Sequence, residues 1–384
     1  MGLIVFLFWI SLAVIFYCFF GYSILVLLTG FAGLLKKKKT QLPQQIPGVT
    51  LIITAYLEDR VLLQKIENSL ALTYPVKILF VLDAPTSALH LFGRYPSVKV
   101  IYQPERKGKY EAIKRAMKEV DTPIVVFSDA NSMLNRESIE KIVSHYADPG
   151  TGAVAGEKKI INTGSSALGE AEGIYWKYES FMKRCDAELY TVTGAAGELY
   201  SIRTELFRPL NEAVIVDDLV ISMQVCLQGY RIAYEPGAFS EEPSPGDLEA
   251  ESRRRVRIAA GVYQAMGRLK GTMNFIRRPM VAFQFFSRRV LRWFICPLLL
   301  PLVLLLNILI AAGNPAKNIY TFFLVGQGLL YLLALIGWIL IRNGSRAGIF
   351  SVPFYFLFMN YCMLLGFFRY LGKKQPATWE KAER

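Results

Sequence analysis

The sequence predicts an α/β domain, built on a mixed and mostly parallel sheet and flanked by transmembrane helices. Three observations lead there. Strand-length apolar runs alternate with amphipathic helical stretches from Val49 to Ser132, which is the pattern of βαβ units. Long, nearly uncharged apolar runs stand toward both ends of the chain, each sufficient for a bilayer crossing. At 53% hydrophobic and 20% charged over 384 residues, the chain is too apolar for an ordinary soluble domain and too charged in its middle to be wholly membrane-embedded.

Residues 1–39 form the first unit. Leu3 to Leu35 ends at the four consecutive lysines Lys36 to Lys39, and with no basic region in front it predicts one tilted signal-anchor helix. The positive-inside rule puts those lysines, and the soluble unit behind them, in the cytoplasm, in a multi-pass protein of the plasma membrane.

Residues 40–270 form the soluble unit. After a linker rich in Pro and Gln, strands are predicted at 49–54, 76–82 and 98–102, with a fourth running from Pro123 to Asp129. Tyr110, Ile113, Met117 and Val120 fall at helical spacing while Lys109, Lys114, Arg115 and Lys118 face elsewhere, so the crossover before the fourth strand is an amphipathic helix. Right-handed crossovers bring these strand ends to one crevice. Then follow a helix capped by Asn135, a glycine-rich strand at 151–157, a helix over 173–190, a pliable loop at 193–198 and a helix opened by Asp217 and Asp218. The chain leaves the unit through the arginine run at 253–257.

Residues 271–292 interleave phenylalanines with arginines around Pro279 and read as an amphipathic segment lying in the membrane interface. Residues 293–370 supply about three spans, at 293–312, 320–341 and 348–368. Residues 371–384 form a basic tail; three crossings argue that it lies outside, its charge that it lies inside.

The net charge of +13 suits an anionic membrane surface and a nucleotide better than nucleic acid, because many basic residues, Arg288, Arg289 and Arg292 among them, adjoin apolar spans. Five cysteines without paired spacing indicate neither a zinc site nor a disulfide framework. His90 and His145 read as surface residues, with no second ligand at metal spacing.

Chemistry concentrates at the strand ends. Asp83 ends the second strand, Asp129 the fourth, and Asp218 opens a later helix. Singly, each has a bland reading as a turn or helix-start residue, and the arginine run could simply bind lipid. Along one crevice they offer a carboxylate for a nucleoside, one for a divalent metal on a diphosphate, and a base for an acceptor hydroxyl. Arg254 and Arg257 can hold a departing diphosphate. Tyr175, Trp176 and Tyr178 read as core more readily than as a sugar-stacking platform.

With these residues in view, the chain resembles the membrane-anchored family 2 glycosyltransferases, the group that includes hyaluronan, cellulose and poly-N-acetylglucosamine synthases. The resemblance rests on Thr54-Ala55-Tyr56-Leu57-Glu58-Asp59, Asp83, Lys107-Gly108-Lys109 and Ser128-Asp129-Ala130-Asn131. It continues in Val192-Thr193-Gly194-Ala195, Val216-Asp217-Asp218, Gly229-Tyr230-Arg231 and Tyr234-Glu235-Pro236. It implies a GT-A fold and an inverting, metal-dependent transferase that takes a nucleotide sugar, UDP-linked by expectation, and needs Mg2+ or Mn2+. Asp218 is then the base; Ala55, Glu58, Asp83, Lys109, Asp129, Arg254 and Arg257 bind the nucleotide sugar. Asp129 and Asn131 hold the metal, and Thr193, Gly194, Asp217 and Ile258 border the acceptor, a glycan or a lipid-linked glycan at the bilayer.

The sequence departs from the family pattern twice. The D-x-D metal motif stands as Asp129-Ala130-Asn131, and the Q-x-x-R-W motif of processive synthases aligns with Arg254-Arg255-Val256-Arg257-Ile258, replacing the acceptor-stacking Trp by Ile258. Single transfer is therefore as compatible with the sequence as polymerisation. The alternative is a non-catalytic, nucleotide-binding or scaffolding membrane subunit, which would have no use for a base at Asp218.

Overall fold

The computed structural model describes residues 1–31, 46–56, 59–84, 87–161, 167–211, 214–244, 247–313 and 318–372. Glu58, the Lys36 to Lys39 stop and the basic tail from Lys373 lie outside the described residues. The first helix runs through α1 (Gly2–Phe16), a π-helical turn and α2 (Tyr22–Phe31). The central domain follows as β1 (Val49–Ala55), α3 (Asp59–Leu70), β2 (Lys77–Leu82), β3 (Val98–Tyr102), α4 (Lys109–Met117) and β4 (Ile124–Asp129). It continues with β5 (Met133–Leu134), α5 (Ser138–Ser144), β6 (Thr151–Ile161), α6 (Ala167–Leu189), β7 (Leu199–Arg203), α7 (Asp217–Leu227) and β8 (Arg231–Pro243). The chain closes with α8 (Leu248–Arg268), α9 (Pro279–Phe285), α10 (Cys296–Gly313), α11 (Asn318–Arg342) and α12 (Ser351–Leu371).

The sheet order is β3-β2-β1-β4-β7-β6-β8-β5. β1 pairs in parallel with both β2 and β4, whereas β7 runs antiparallel to β4 and β6. Because the chain runs from β1 through β2 to β3 on one side and then crosses back to β4 on the other, the carboxyl ends of β1 and β4 frame a switch-point crevice, and Thr54 pairs there with Asp129. Every residue of β1 is buried, and alternate side chains enter two cores. Ile52 packs with Val81, Val125 and Phe127 on one face, while Leu51 and Ile53 pack with Phe80 and Val126 on the other. Each such side chain is worth about 1.5–3 kcal/mol, so the strand ends are held rigidly.

Several elements differ from the sequence reading. Asn135 caps no helix; its side chain accepts from the Phe239 amide at 2.8 Å and donates to the Gly237 carbonyl at 3.1 Å, stitching β5 to β8. β7 and the 13-residue β8 were not foreseen as strands. His145 is no plain surface residue either, since its Nε2 lies 2.8 Å from Glu235. The arginine run is not an exit linker but the face of the 21-residue α8, which packs on α12 where Gly366 meets Ala259 too closely for any side chain.

Among the described residues, four helices are long and apolar enough to cross a membrane: Gly2–Thr29, Pro279–Gly313, Ile319–Arg342 and Gly348–Leu371. The segment expected to lie separately in the interface is instead continuous from Pro279 into α10 through a π-helical stretch. Its arginines turn inward rather than toward headgroups. Arg288 reaches Asp186 at 3.0 Å and Arg292 reaches Glu179 at 2.5 Å, both carboxylates on α6. The Tyr22 hydroxyl donates to the same Asp186 at 2.6 Å. Removing one member of such a pair strands a buried charge at a cost of about 3–5 kcal/mol, and these pairs bolt the membrane helices to the sheet domain.

Candidate active site

The site begins at the turn into α4. Asp83, at the end of β2, is buried, and its carboxylate accepts from the amides of Lys107 and Gly108 at 3.2 and 2.7 Å and from Arg115 at 3.3 Å. Gly108 sits at φ 93°, a conformation that favours glycine. The expected nucleoside ligand thus holds the Lys107-Gly108-Lys109 turn in place, and neither Asp83 nor Ala55 is on the wall of the cavity described below.

Lys109, delivered by that turn, lies 2.5 Å from Asp129 Oδ1 and 3.9 Å from Asp217 Oδ2. Burial alone would lower its pKa, but Asp129 and Asp217 outweigh it and hold the ammonium well above its ordinary value. For Asp129 the balance goes the other way: burial lifts its carboxyl despite Lys109. Asp217 and Asp218 occupy the first turn of α7, where the helix dipole favours negative charge. Burial first and the Asp217 charge second push Asp218 up to about 7, with Lys109 partly offsetting them.

The loop between α6 and β7 closes over these groups. A Cβ on Gly197 would stand 3.1 Å from Lys109 Nζ and 3.5 Å from Asp218 Oδ2, so the backbone there passes directly above both. Gly194 adopts φ +114°, and a Cβ there would meet Leu219 at 2.5 Å. The Ala195 amide donates to Ser222 Oγ at 3.0 Å, tying the loop to α7. The neighbouring Thr193 is buried.

Beneath Asp129 lies a buried polar chain that the sequence reading missed. Lys65, fully buried, donates to Ser128 Oγ at 2.9 Å and to the Ser132 carbonyl; burial pulls its ammonium down to about 7. Ser132 donates to Glu242 at 2.5 Å, Glu242 pairs with Lys158 at 2.8 Å, and Lys158 pairs with Glu198. Lys65 and Lys158 are each the only charge in a strand or helix face that otherwise reads as core, which is the signal sequence offered. Glu198 reaches the cavity wall.

A cavity of about 910 Å³ opens from Thr54, Lys109, Asp129, Asn131, Asp217 and Asp218. It is bounded by Arg254, Arg257 and Ile258 of α8 and extends to Phe16 and Phe20 of the first helix and Met359 of α12. The Arg254 guanidinium is engaged with Glu251 at 2.8 and 2.9 Å, so of the expected diphosphate pair it is already committed within the protein. Tyr175, Trp176 and Tyr178, read as core, stand on the cavity wall. Lys183, on the same helix, and Arg289 and Trp293, on the helical stretch ahead of α10, join them there without having been assigned to the site from sequence.

Among the described residues, no three His, Cys, Asp or Glu side chains converge as a ready-made metal cage. Asp129 and Asn131 both face the cavity, and the buried Oδ2 of Asp217, 3.9 Å from Lys109, has no hydrogen-bond partner among the described residues. That donor set fits Mg2+ or Mn2+ held by one or two protein oxygens with phosphates completing the shell.

A mixed sheet with an acidic crevice at its switch point is the arrangement of a GT-A transferase domain, here set against membrane-length helices. Residues 47–261 match the family described as Glycosyltransferase like family 2, and the chain belongs to it. Poly-beta-1,6-N-acetyl-D-glucosamine synthase of Staphylococcus aureus is 26% identical over 266 residues, which is 65% of this chain and 63% of that protein. The Staphylococcus epidermidis synthase is 24% identical over 237 residues, 58% of this chain and 56% of that protein. The chain thus aligns with less than two thirds of these relatives' length. A mannosyltransferase from Pyrobaculum calidifontis, solved in complex with GDP-Man and Mn2+, shares the fold with a TM-score of 0.70 at 20% identity, over 96% of this chain and 100% of that one.

Proposed function

We propose that the protein is an inverting glycosyltransferase that moves a sugar from a nucleotide sugar, UDP-linked as its motifs' resemblance to the family implies, to a membrane-associated glycan or lipid acceptor. The observation that carries this reading is Asp218. It is a carboxyl raised to about 7 by burial and by Asp217, on the wall of the same cavity as the Lys109–Asp129 pair. A base whose pKa lies near the operating pH is both ionised and strong enough to take a proton from a hydroxyl.

In the step proposed, the acceptor oxygen attacks the anomeric carbon from the side opposite the diphosphate. Its proton passes to Asp218, and the bond from that carbon to the diphosphate oxygen breaks with the electron pair leaving on the diphosphate. Lys109 and Arg257 stabilise the charge that develops there. A bound Mg2+ or Mn2+, held by Asp129 and Asn131, would neutralise part of the diphosphate charge. The glycine-containing loop passes over Lys109 and Asp218 and narrows the approach to the reacting pair. By the positive-inside rule, Lys36 to Lys39 set this domain on the cytoplasmic side of the plasma membrane.

The test is a turnover screen of the purified full-length protein across UDP-, GDP- and dTDP-sugars, with and without Mn2+, in wild type and Asp218→Asn. The reading expects transfer or hydrolysis of one nucleotide sugar, reduced by about 10²–10⁴-fold in the variant, with nucleotide binding retained. Full activity in Asp218→Asn removes the base assignment, and no turnover of any donor favours the scaffold alternative.

A further inference from the structure

Two cations on the cavity wall have no role in the chemistry above. Lys183 of α6 is only 7% exposed, lines the cavity, and its Nζ has no hydrogen-bond partner among the described residues. It lies over the Trp176 ring at 5.7 Å and the Tyr234 ring at 5.6 Å, contacts that compensate an ammonium only in part. Burial pulls it below its ordinary value, with the charges of Glu157, Glu198 and Glu179 offsetting that only in part, so an anion brought beside it would gain more than at the surface.

Arg289 is the second. Its neighbours Arg288 and Arg292 are spent on Asp186 and Glu179, whereas Arg289 has no carboxylate partner among the described residues. Its Nε donates to the Thr193 carbonyl at 2.7 Å and its guanidinium stacks on Trp293 at 3.9 Å. This leaves the rest of the fork toward Gly194, whose Cβ position is 3.4 Å from Arg289 Nη2. Both cations thus border the volume that holds Asp218. Away from the sheet that volume becomes apolar, between Phe16 and Phe19 of the first helix region, Ile174 of α6, and Phe356 and Met359 of α12. Such a wall matches an apolar chain, and the two cations beside it, neither of them in an ion pair among the described residues, match an anionic headgroup.

We propose that this part of the cavity receives an anionic lipid acceptor, with its phosphate-bearing headgroup on Lys183 and Arg289, its apolar chain among the aromatic side chains, and its hydroxyl presented to Asp218. The inference rests on the transferase reading and adds the acceptor's class to it. Lys183 and Arg289 are positioning groups for the headgroup, and the anion they hold is distinct from the diphosphate on Lys109.

The experiment is titration calorimetry of the full-length protein in neutral detergent with farnesyl phosphate, farnesol and inorganic phosphate as probes. Farnesyl phosphate is expected to bind at least about tenfold more tightly than farnesol, as charge-assisted bonds to two buried cations require, and inorganic phosphate not to compete with it. Lys183→Met and Arg289→Gln should each shrink the preference for phosphate over alcohol to about threefold or less while farnesol still binds. Equal binding of phosphate and alcohol by wild type overturns the proposal without recourse to any variant. So does an unchanged preference in both variants, and so does competition by inorganic phosphate, which marks a site for free phosphate. Turnover of nucleotide sugar is read on the same preparation. Turnover without phosphate preference removes this inference alone, and phosphate preference without turnover of any donor removes the transferase reading.

Discussion

The raised carboxyl of Asp218 makes a quantitative prediction for Asp217→Asn. Asp218 is moved from an ordinary 3.8 to about 7, roughly 3 units or about 4 kcal/mol of penalty on its ionised form. Burial is the larger cause and the Asp217 charge the second, and solvent reaching the partly exposed Asp218 screens that charge. Removing it should therefore lower the Asp218 pKa by about 1 unit, some tenfold in the proton equilibrium. The loss of a competing partner for Lys109 acts in the same direction. A base must be ionised to work, so the acid limb of log kcat/KM against pH should move from near 7 in wild type to about one unit lower in Asp217→Asn. The assay is initial-rate transfer by the full-length enzyme from about pH 5 to 9 with the donor selected by the screen. A limb that stays in place, or moves upward, refutes the coupling. Stability supplies a control on Asp218→Asn. The folded protein holds the Asp218 proton up to about 7 and the unfolded chain only to 3.8, so this group's contribution is lost as pH rises between those values. At pH 8 the Asn variant should be no less stable than wild type, and a large fall in Tm there would show that activity was lost through unfolding.

Three further outcomes follow from the site. Lys158→Met removes one partner from a pair with both side chains at 2% exposure or less; it should cost about 3–5 kcal/mol and lower the Tm, with nucleotide affinity falling as the Asp129 corner loosens. Gly194→Ala puts a side chain at φ +114° against Leu219, and should cost about 1–3 kcal/mol while slowing turnover more than it weakens nucleotide binding. Asp129→Ala should weaken Mn2+-dependent nucleotide binding in calorimetry and leave metal-free binding nearly unchanged; equal metal dependence in both proteins would take Asp129 out of the metal site.

Sequence was informative where the code is local. Period-two burial in a strand and the 3.6-residue repeat in a crossover helix depend on near neighbours, so β1 to β4, α4 and the four membrane-length helices are legible in the order of residues alone. Asp129, Lys109, Asp217 and Asp218, which line the cavity, were legible as candidates because each sits at the end of such an element, where backbone geometry already aims side chains at a crevice. β7 and β8 escaped because they owe their pairing to partners distant in the chain: Leu199 faces Ser128, and Arg231 faces Thr151.

What only the tertiary structure decided is which charges are spent and which are spared. Arg254, Arg288 and Arg292 look alike in sequence with Arg289, yet these three find carboxylates on their own helix or on α6, and Arg289 forms no ion pair among the described residues. Asp83 looks like Asp129, yet two amides and a guanidinium occupy it while Asp129 stays on the cavity wall. The sequence by itself determined the family, the strand ends and the acids upon them. Pairing is a contest among groups brought together from the whole chain, settled by distance and desolvation, and no local pattern records its outcome.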